Sequence, residues 1–202
     1  GHWPYRPVRG LDALLREMDA LGIEQAAVSS LSAVHYLNPH DGNRELASLI
    51  APHRDRLSPF AVLRPGFSGV LDDFRACRDE FGMRAVVLYP NYHEFDLAAP
   101  ELEPLMAAAQ ERGLPVCVQA GLEDPRRQFR PCRVAEVPAA AIGDFARRWP
   151  AVAIIALGLK FRQPEQAGIP LPANLHFDTS NYETLGDLEQ ALQSIPPDRI
   201  LL

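Results

Sequence analysis

Apolar residues along this chain fall into short dense runs, and the stretches between the runs carry apolar positions at helical spacing. The runs cover 24–30, 57–63, 84–90, 114–120, 151–157, 174–180 and 199–202. They are continuous blocks such as RAVVLYP and LPVCVQA rather than alternating patterns, which predicts strands buried on both faces. The intervening stretches predict helices over 11–22, 43–53, 69–82, 99–113, 139–150 and 185–196, several closed by a glycine. Asn43 is the expected N-cap of the second of these helices. One unit is irregular: GLKFRQPEQAGIPLPA (158–173) links two strands without a convincing helix.

Strands alternating with helices imply an α/β protein with a parallel sheet, either doubly wound or closed as a barrel. No glycine-rich phosphate loop follows an early strand, so the dinucleotide fingerprint of a doubly wound fold is missing. The chain also opens as a loop leading into a helix and stops inside a strand. These features favour a (β/α)8 TIM barrel. Such barrels use about 250 residues, and this chain has 202. The expectation is one domain over 1–202, with the first strand before Gly1 and the last helix after Leu202.

Composition narrows the partners. A hydrophobic share of 47% is enough for one sizeable core. Net charge is -6 and the Lys and Arg residues form no stripe, which speaks against nucleic acid. No apolar run is long enough to span a bilayer, and the opening GHWPYRP has no signal-peptide pattern. Cys77, Cys117 and Cys132 form no CxxC pair. This points to a reducing, cytoplasmic setting without a disulfide frame. A homodimer is the default expectation for such a barrel.

Active sites of these barrels lie at the C-terminal strand ends. The candidates there are Trp3, Tyr5 and Arg6; Ser29 and Ser30; Arg64; Tyr89, Asn91, Tyr92 and His93; Gln119, Glu123 and Asp124; Gly158 and Lys160; and Asp178 and Tyr182. A polar, aromatic, partly cationic set of this kind suits a small carboxylated or cyclic ligand. His93 is the acid–base candidate, because imidazole titrates near neutral pH; the competing reading is a loop histidine bonded for packing. Asp178 and Glu123 are candidate catalytic partners, although Glu123 and Asp124 also fit a loop fixed by Arg126, Arg127 or Arg130. Tyr5, Arg6, Tyr89, Asn91, Tyr92, Gln119 and Lys160 are the candidate substrate contacts. His35 and His40 flank YLNP and are expected to be exposed or capping, and His176 to be packed inside its strand.

The segments RAVVLYP, FDLAAPELEPLMAAAQERGLPV and VQAG carry a resemblance. Together they resemble the amidohydrolase superfamily, in the branch that includes aminocarboxymuconate-semialdehyde decarboxylase-like enzymes. FARRWPAVAIIAL, NLHFDTS and IPPDRILL are similar to later parts of the same pattern. The resemblance implies a (β/α)8 barrel holding a divalent metal such as zinc. In that family the ligands are a His-x-His pair ending the first strand, a histidine ending the fifth, often one ending the sixth, and an aspartate ending the eighth. Here the fifth-strand position holds Gln119, and the sixth falls at Gly158 or Leu157, so no metal ligand is assigned. GHWPYRP and LEDPRRQFRP are similar to an uncharacterised subgroup of TIM-barrel metal-dependent hydrolases whose metal histidines are commonly replaced. The implied activity is hydrolysis of a small carboxylated or cyclic substrate. The alternatives are non-oxidative decarboxylation, or a ligand-binding barrel that has lost the metal site.

Overall fold

The computed structural model describes residues 10–122, 128, 133–159, 171–182 and 185–201. Tyr5, Arg6, Glu123 and Lys160 lie outside the described residues, as do Trp3, Asp124, Arg126, Arg127, Arg130 and most of the irregular stretch 158–173. All seven expected strands are present: β1 (Ala26–Ser29), β2 (Leu57–Val62), β3 (Val86–Leu88), β4 (Val116–Gln119), β5 (Ile154–Leu157), β6 (Leu175–Asp178) and β7 (Ile200–Leu201). They form one parallel sheet in the order β1-β2-β3-β4-β5-β6-β7. A doubly wound sheet reverses its strand order at a switch point. This order never reverses, so right-handed crossovers place every helix on the same face and the sheet curls as part of a barrel.

The connecting helices are α1 (Gly10–Leu21), α2 (Leu31–His35), α3 (Pro39–Leu49), α4 (Val70–Arg75), α5 (Pro90–His93), α6 (Glu103–Glu111), α7 (Ala139–Arg148) and α8 (Asp187–Ser194). Residue parity divides the core into two sides, since side chains alternate across a strand. Val86, Leu88, Val116, Val118, Ile154, Ala156, Leu175 and Phe177 pack outward with Leu102, Leu105, Ile142 and Phe145. Val62, Val87, Tyr89 and Cys117 pack inward with the half-buried Phe60, Ile155 and Leu157. Ala26 and Val28 of β1 face outward against Met18 and Ile50. Continuous apolar runs therefore arise because each strand has a helix layer on one side and the barrel interior on the other. By the same alternation Ser29, Gln119, His176 and Asp178 face inward.

One expectation about helix starts is corrected. Asn43 does not cap its helix: α3 begins at Pro39, and the Asn38 side chain accepts from the His40 N–H at 3.0 Å. Asn–Pro is an N-cap followed by a proline at N1, where the missing N–H is not needed. Asn43 is instead a fully buried helix residue. It donates from Nδ2 to the Val62 carbonyl at 2.7 Å and accepts from the Val62 N–H at 3.0 Å. The short helices α2 and α5 were not expected. α5 starts on Pro90 and ends at Glu94, which adopts φ 56°.

Candidate functional site

Two groups of side chains occupy the inward strand ends. The first surrounds the end of β3. Tyr89 is the residue before α5 and is 4% exposed. Its hydroxyl lies 3.4 Å from Ser29 Oγ at the end of β1. Burial pushes the Tyr89 phenol up, against the Ser29 hydrogen bond, so it stays a protonated donor through the neutral range. Tyr92 meets Tyr89 edge-on at a centroid distance of 6.3 Å and meets His35 in the same way at 6.3 Å. These spacings lie within the favourable range for aromatic pairs. Asn91 is exposed and donates to the Ala135 carbonyl at 2.6 Å, which ties α5 to the segment before α7.

His93 closes this group from behind. It is buried, and Nε2 sits 3.1 Å from the Val34 carbonyl on α2. A carbonyl only accepts, so Nε2 carries the proton and Nδ1 holds the lone pair. Nδ1 is buried and makes no hydrogen bond of good geometry, although the Leu63 carbonyl also lies near the ring. Burial lowers the His93 pKa, partly opposed by the Val34 and Leu63 carbonyls, and Arg64 and His35 lower it further. The imidazole is therefore neutral at pH 7 and joins α5 to α2. The unfolded chain takes up the proton near 6.5 while the folded chain resists it. The His93 contribution to stability is thus complete above that pH and is lost as pH falls below it. His93→Asn should show a shallower fall in urea midpoint between pH 7.5 and 5.0 than the wild type. Equal pH slopes in the two proteins would reject this assignment. His35, whose pKa is also lowered by burial, contributes in the same direction in both proteins.

The second group spans the ends of β4, β5 and β6. Gln119 is half-buried and donates from Nε2 to the Gly121 carbonyl at 2.7 Å and, more weakly, to the Leu157 carbonyl at 3.4 Å. Two carbonyl neighbours leave only one orientation of the amide, since the oxygen end would face two acceptors. Asp178 Oδ1 accepts from the Gly158 N–H at 2.8 Å, and Oδ2 accepts from Ser180 Oγ at 2.7 Å. Asn181 Nδ2 donates to the Gly158 carbonyl. Nearby Tyr182 has its pKa raised by burial first and then by Asp178 and Asp187.

The family resemblance expects an imidazole at position 119 and often a second at 158 or 157. Gln119 turns its nitrogen toward carbonyls, and Gly158 offers no side chain. The Gln119 amide also occupies the space where a Cβ on Gly158 would stand, at 2.7 Å. These two residues do not fit a zinc ion, which prefers imidazole or thiolate. The buried cysteines do not substitute. Burial first pushes both Cys77 and Cys117 up to about 12, so neither is a thiolate at neutral pH.

The candidates drawn from the sequence thus divide between two neighbourhoods. His93 makes its contacts with α2 and Tyr89, and Asp178 with the end of β5. Two features escaped the sequence reading. His176 shares the inward face with Asp178, because Leu175 and Phe177 pack outward. Asn181 and Ser180 complete the second group, and their only signal was proximity to a strand end. His40 stacks on Phe81 at 5.4 Å and lies 3.4 Å from Asp73, away from the partners of His35. A mostly apolar cavity of about 490 Å³ opens between α1 and the outer side of β1, starting at Gly10. Its lining is apolar apart from Glu17 and Ser29, so the candidate site is the set of inward strand ends. Among the described residues, no helix is long and apolar enough to cross a membrane.

The amidohydrolase family model matches residues 1–157. No curated protein matches the chain. Similar solved structures include an uncharacterised TIM-barrel protein from Bordetella bronchiseptica, at 19% identity and TM-score 0.71, covering 96% of this chain and 69% of that one. A 2,6-dihydroxybenzoate decarboxylase from Rhizobium is 20% identical, with TM-score 0.69 and coverage of 95% and 76%. A 5-carboxyvanillate decarboxylase from Sphingomonas paucimobilis is 14% identical, with TM-score 0.66 and coverage of 93% and 70%. At these identities the likeness establishes the fold, a partial TIM barrel.

Proposed function

The chain belongs to the amidohydrolase family, and we propose that its inward strand ends bind a small carboxylated ring compound and remove the carboxylate without an oxidant. The observation that carries this reading is the placement at the inward strand ends of two polar groups, one with the rings of Tyr89 and Tyr92 and the hydroxyl of Ser29, the other with the amide of Gln119 and the carboxylate of Asp178. Aromatic side chains supply apolar contact surface and the polar groups orient a substituted ring against it. Solved structures of the same fold that act on aromatic acids support decarboxylation ahead of the hydrolysis expected first. In this reaction the C–C bond breaks, its electron pair stays on the ring carbon, and a proton replaces the departing CO2. His93, Asp178 and Glu123 are the proton-handling candidates. Tyr89, Tyr92, Asn91 and Gln119, with Tyr5, Arg6 and Lys160, are the substrate contacts.

A second reading is a ligand-binding barrel without turnover. It is favoured by the Gln119 amide and the Asp178 carboxylate both being engaged with neighbouring groups. Full-length protein incubated with a panel of hydroxybenzoates separates the two. CO2 release above the uncatalysed rate supports the first, and calorimetric binding without turnover supports the second. Neither binding nor turnover, of these acids or of the corresponding esters and lactones, would reject both. Under either reading Tyr89→Phe should weaken binding of a carboxylated ligand by about tenfold, the worth of one hydrogen bond of about 1–1.5 kcal/mol. Unchanged affinity would remove Tyr89 from the site.

A further inference from the structure

We infer that Gln119, Gly158 and Asp178 form a latch that closes the ends of β4, β5 and β6 to a metal ion, with glycine at 158 required by the glutamine at 119. Position 158 is constrained from three directions. Its φ of 71° is a conformation that side-chain-bearing residues rarely adopt. A Cβ there would stand 2.7 Å from Gln119 Nε2 and 2.9 Å from the Gly121 carbonyl oxygen. The Gly158 backbone is held on both sides, its N–H by Asp178 Oδ1 at 2.8 Å and its carbonyl by Asn181 Nδ2.

The same contacts commit the groups that face the barrel interior. The nitrogen of Gln119 is committed to Gly121 and Leu157, and each oxygen of Asp178 accepts a hydrogen bond. Three adjacent strand ends are therefore stitched through one glycine peptide. An imidazole at 158 could enter only if the Gln119 amide left. The two departures from the family pattern are thus coupled, while the positive φ and the Gly121 carbonyl favour glycine at 158 in their own right.

The test uses the full-length protein and two readouts that do not involve turnover, so it stands or falls apart from the proposed reaction. The first is metal content after loading with zinc, and separately with manganese, followed by desalting. Gln119→Ala should carry the same metal per protomer as the wild type. A metal content or affinity lowered tenfold or more in Gln119→Ala would show that Gln119 is a ligand and overturn the latch. The second is a double-mutant cycle in thermal stability. Gly158→Ala should lower Tm by roughly 5 °C or more. Gln119→Ala should lower it further in the wild-type background but little in the Gly158→Ala background, because the amide's contacts are already displaced there. Strictly additive losses would refute the coupling. If Gly158→Ala does not fold, Gly158→Asn, which tolerates positive φ better, provides the same cycle.

Discussion

Asn43→Ala is expected to destabilise the protein by on the order of 3 kcal/mol, read as a shift in the midpoint of urea unfolding. The cost follows from where the sheet ends. Pairing between β1 and β2 runs from Ala26↔Leu57 to Ser29↔Phe60 and stops there. Ala61 and Leu63 send their N–H groups the other way, to the carbonyls of Ala85 and Val87. Val62 therefore turns both its N–H and its carbonyl toward the side where β1 has already ended. Asn43 supplies the missing partner, with its amide acting as a one-residue strand. Val62 is fully buried, so truncation leaves two unsatisfied backbone groups at about 1–3 kcal/mol each. Asn43→Leu, which restores volume but not the hydrogen bonds, should be as damaging as the alanine. Asn43→Asp should also be destabilising, because a carboxylate faces the Val62 carbonyl. A leucine variant within about 0.5 kcal/mol of wild type, the ordinary range for neutral substitutions, would show that packing rather than hydrogen bonding holds this junction.

The same residue shows what the sequence conveys and what it hides. Seven strands were legible because burial on both faces leaves continuous apolar runs, and the barrel was legible because no phosphate loop competes with it. Asn43 was misread because an asparagine ahead of an apolar helical pattern is the usual sign of a cap. Only the register of β1 against β2 shows that its partner is Val62, 19 residues away. The true start was readable as Asn38–Pro39, but His40, Asp41 and Gly42 made that stretch resemble a loop. Gln119 was placed correctly at a strand end and recognised as a departure from the family pattern. The reason for Gly158 was not readable, since it depends on how closely the ends of β4 and β5 approach. His93 shows a further limit: its position after a strand was visible, but its bond to Val34 depends on the short helix α2, which has no periodicity long enough to detect.

Gly42→Ala should also be strongly destabilising, against the direction that helix propensity predicts. Gly42 lies within α3, where alanine is intrinsically favoured by about 1 kcal/mol. A Cβ there would stand 2.4 Å from the Ala33 nitrogen, 2.6 Å from its Cα and 2.8 Å from its Cβ. These are mostly backbone atoms, which cannot rotate aside, and Ala33 is fully buried. Overpacking of this kind costs about 1–3 kcal/mol and more where backbone must move, so the overlap outweighs the propensity gain. The displacement would not stay local. The Ala33 N–H is the one that Ser30 Oγ caps at 3.1 Å, and the next residue, Val34, carries the carbonyl that faces His93. Moving α2 outward therefore loosens the N-cap beside Ser29 and exposes His93 to solvent on the same side as Tyr89. A surviving Gly42→Ala protein should lose part of the acid sensitivity assigned to His93, because a hydrated imidazole titrates closer to its unfolded value. Hydrogen exchange should show faster exchange at Ala33 and Tyr36, whose N–H groups are bonded to Ser30 and Ser32. A Gly42→Ala protein at least as stable as wild type, with unchanged exchange in α2, would mean that α2 and α3 separate without cost and that the inward site does not depend on their contact.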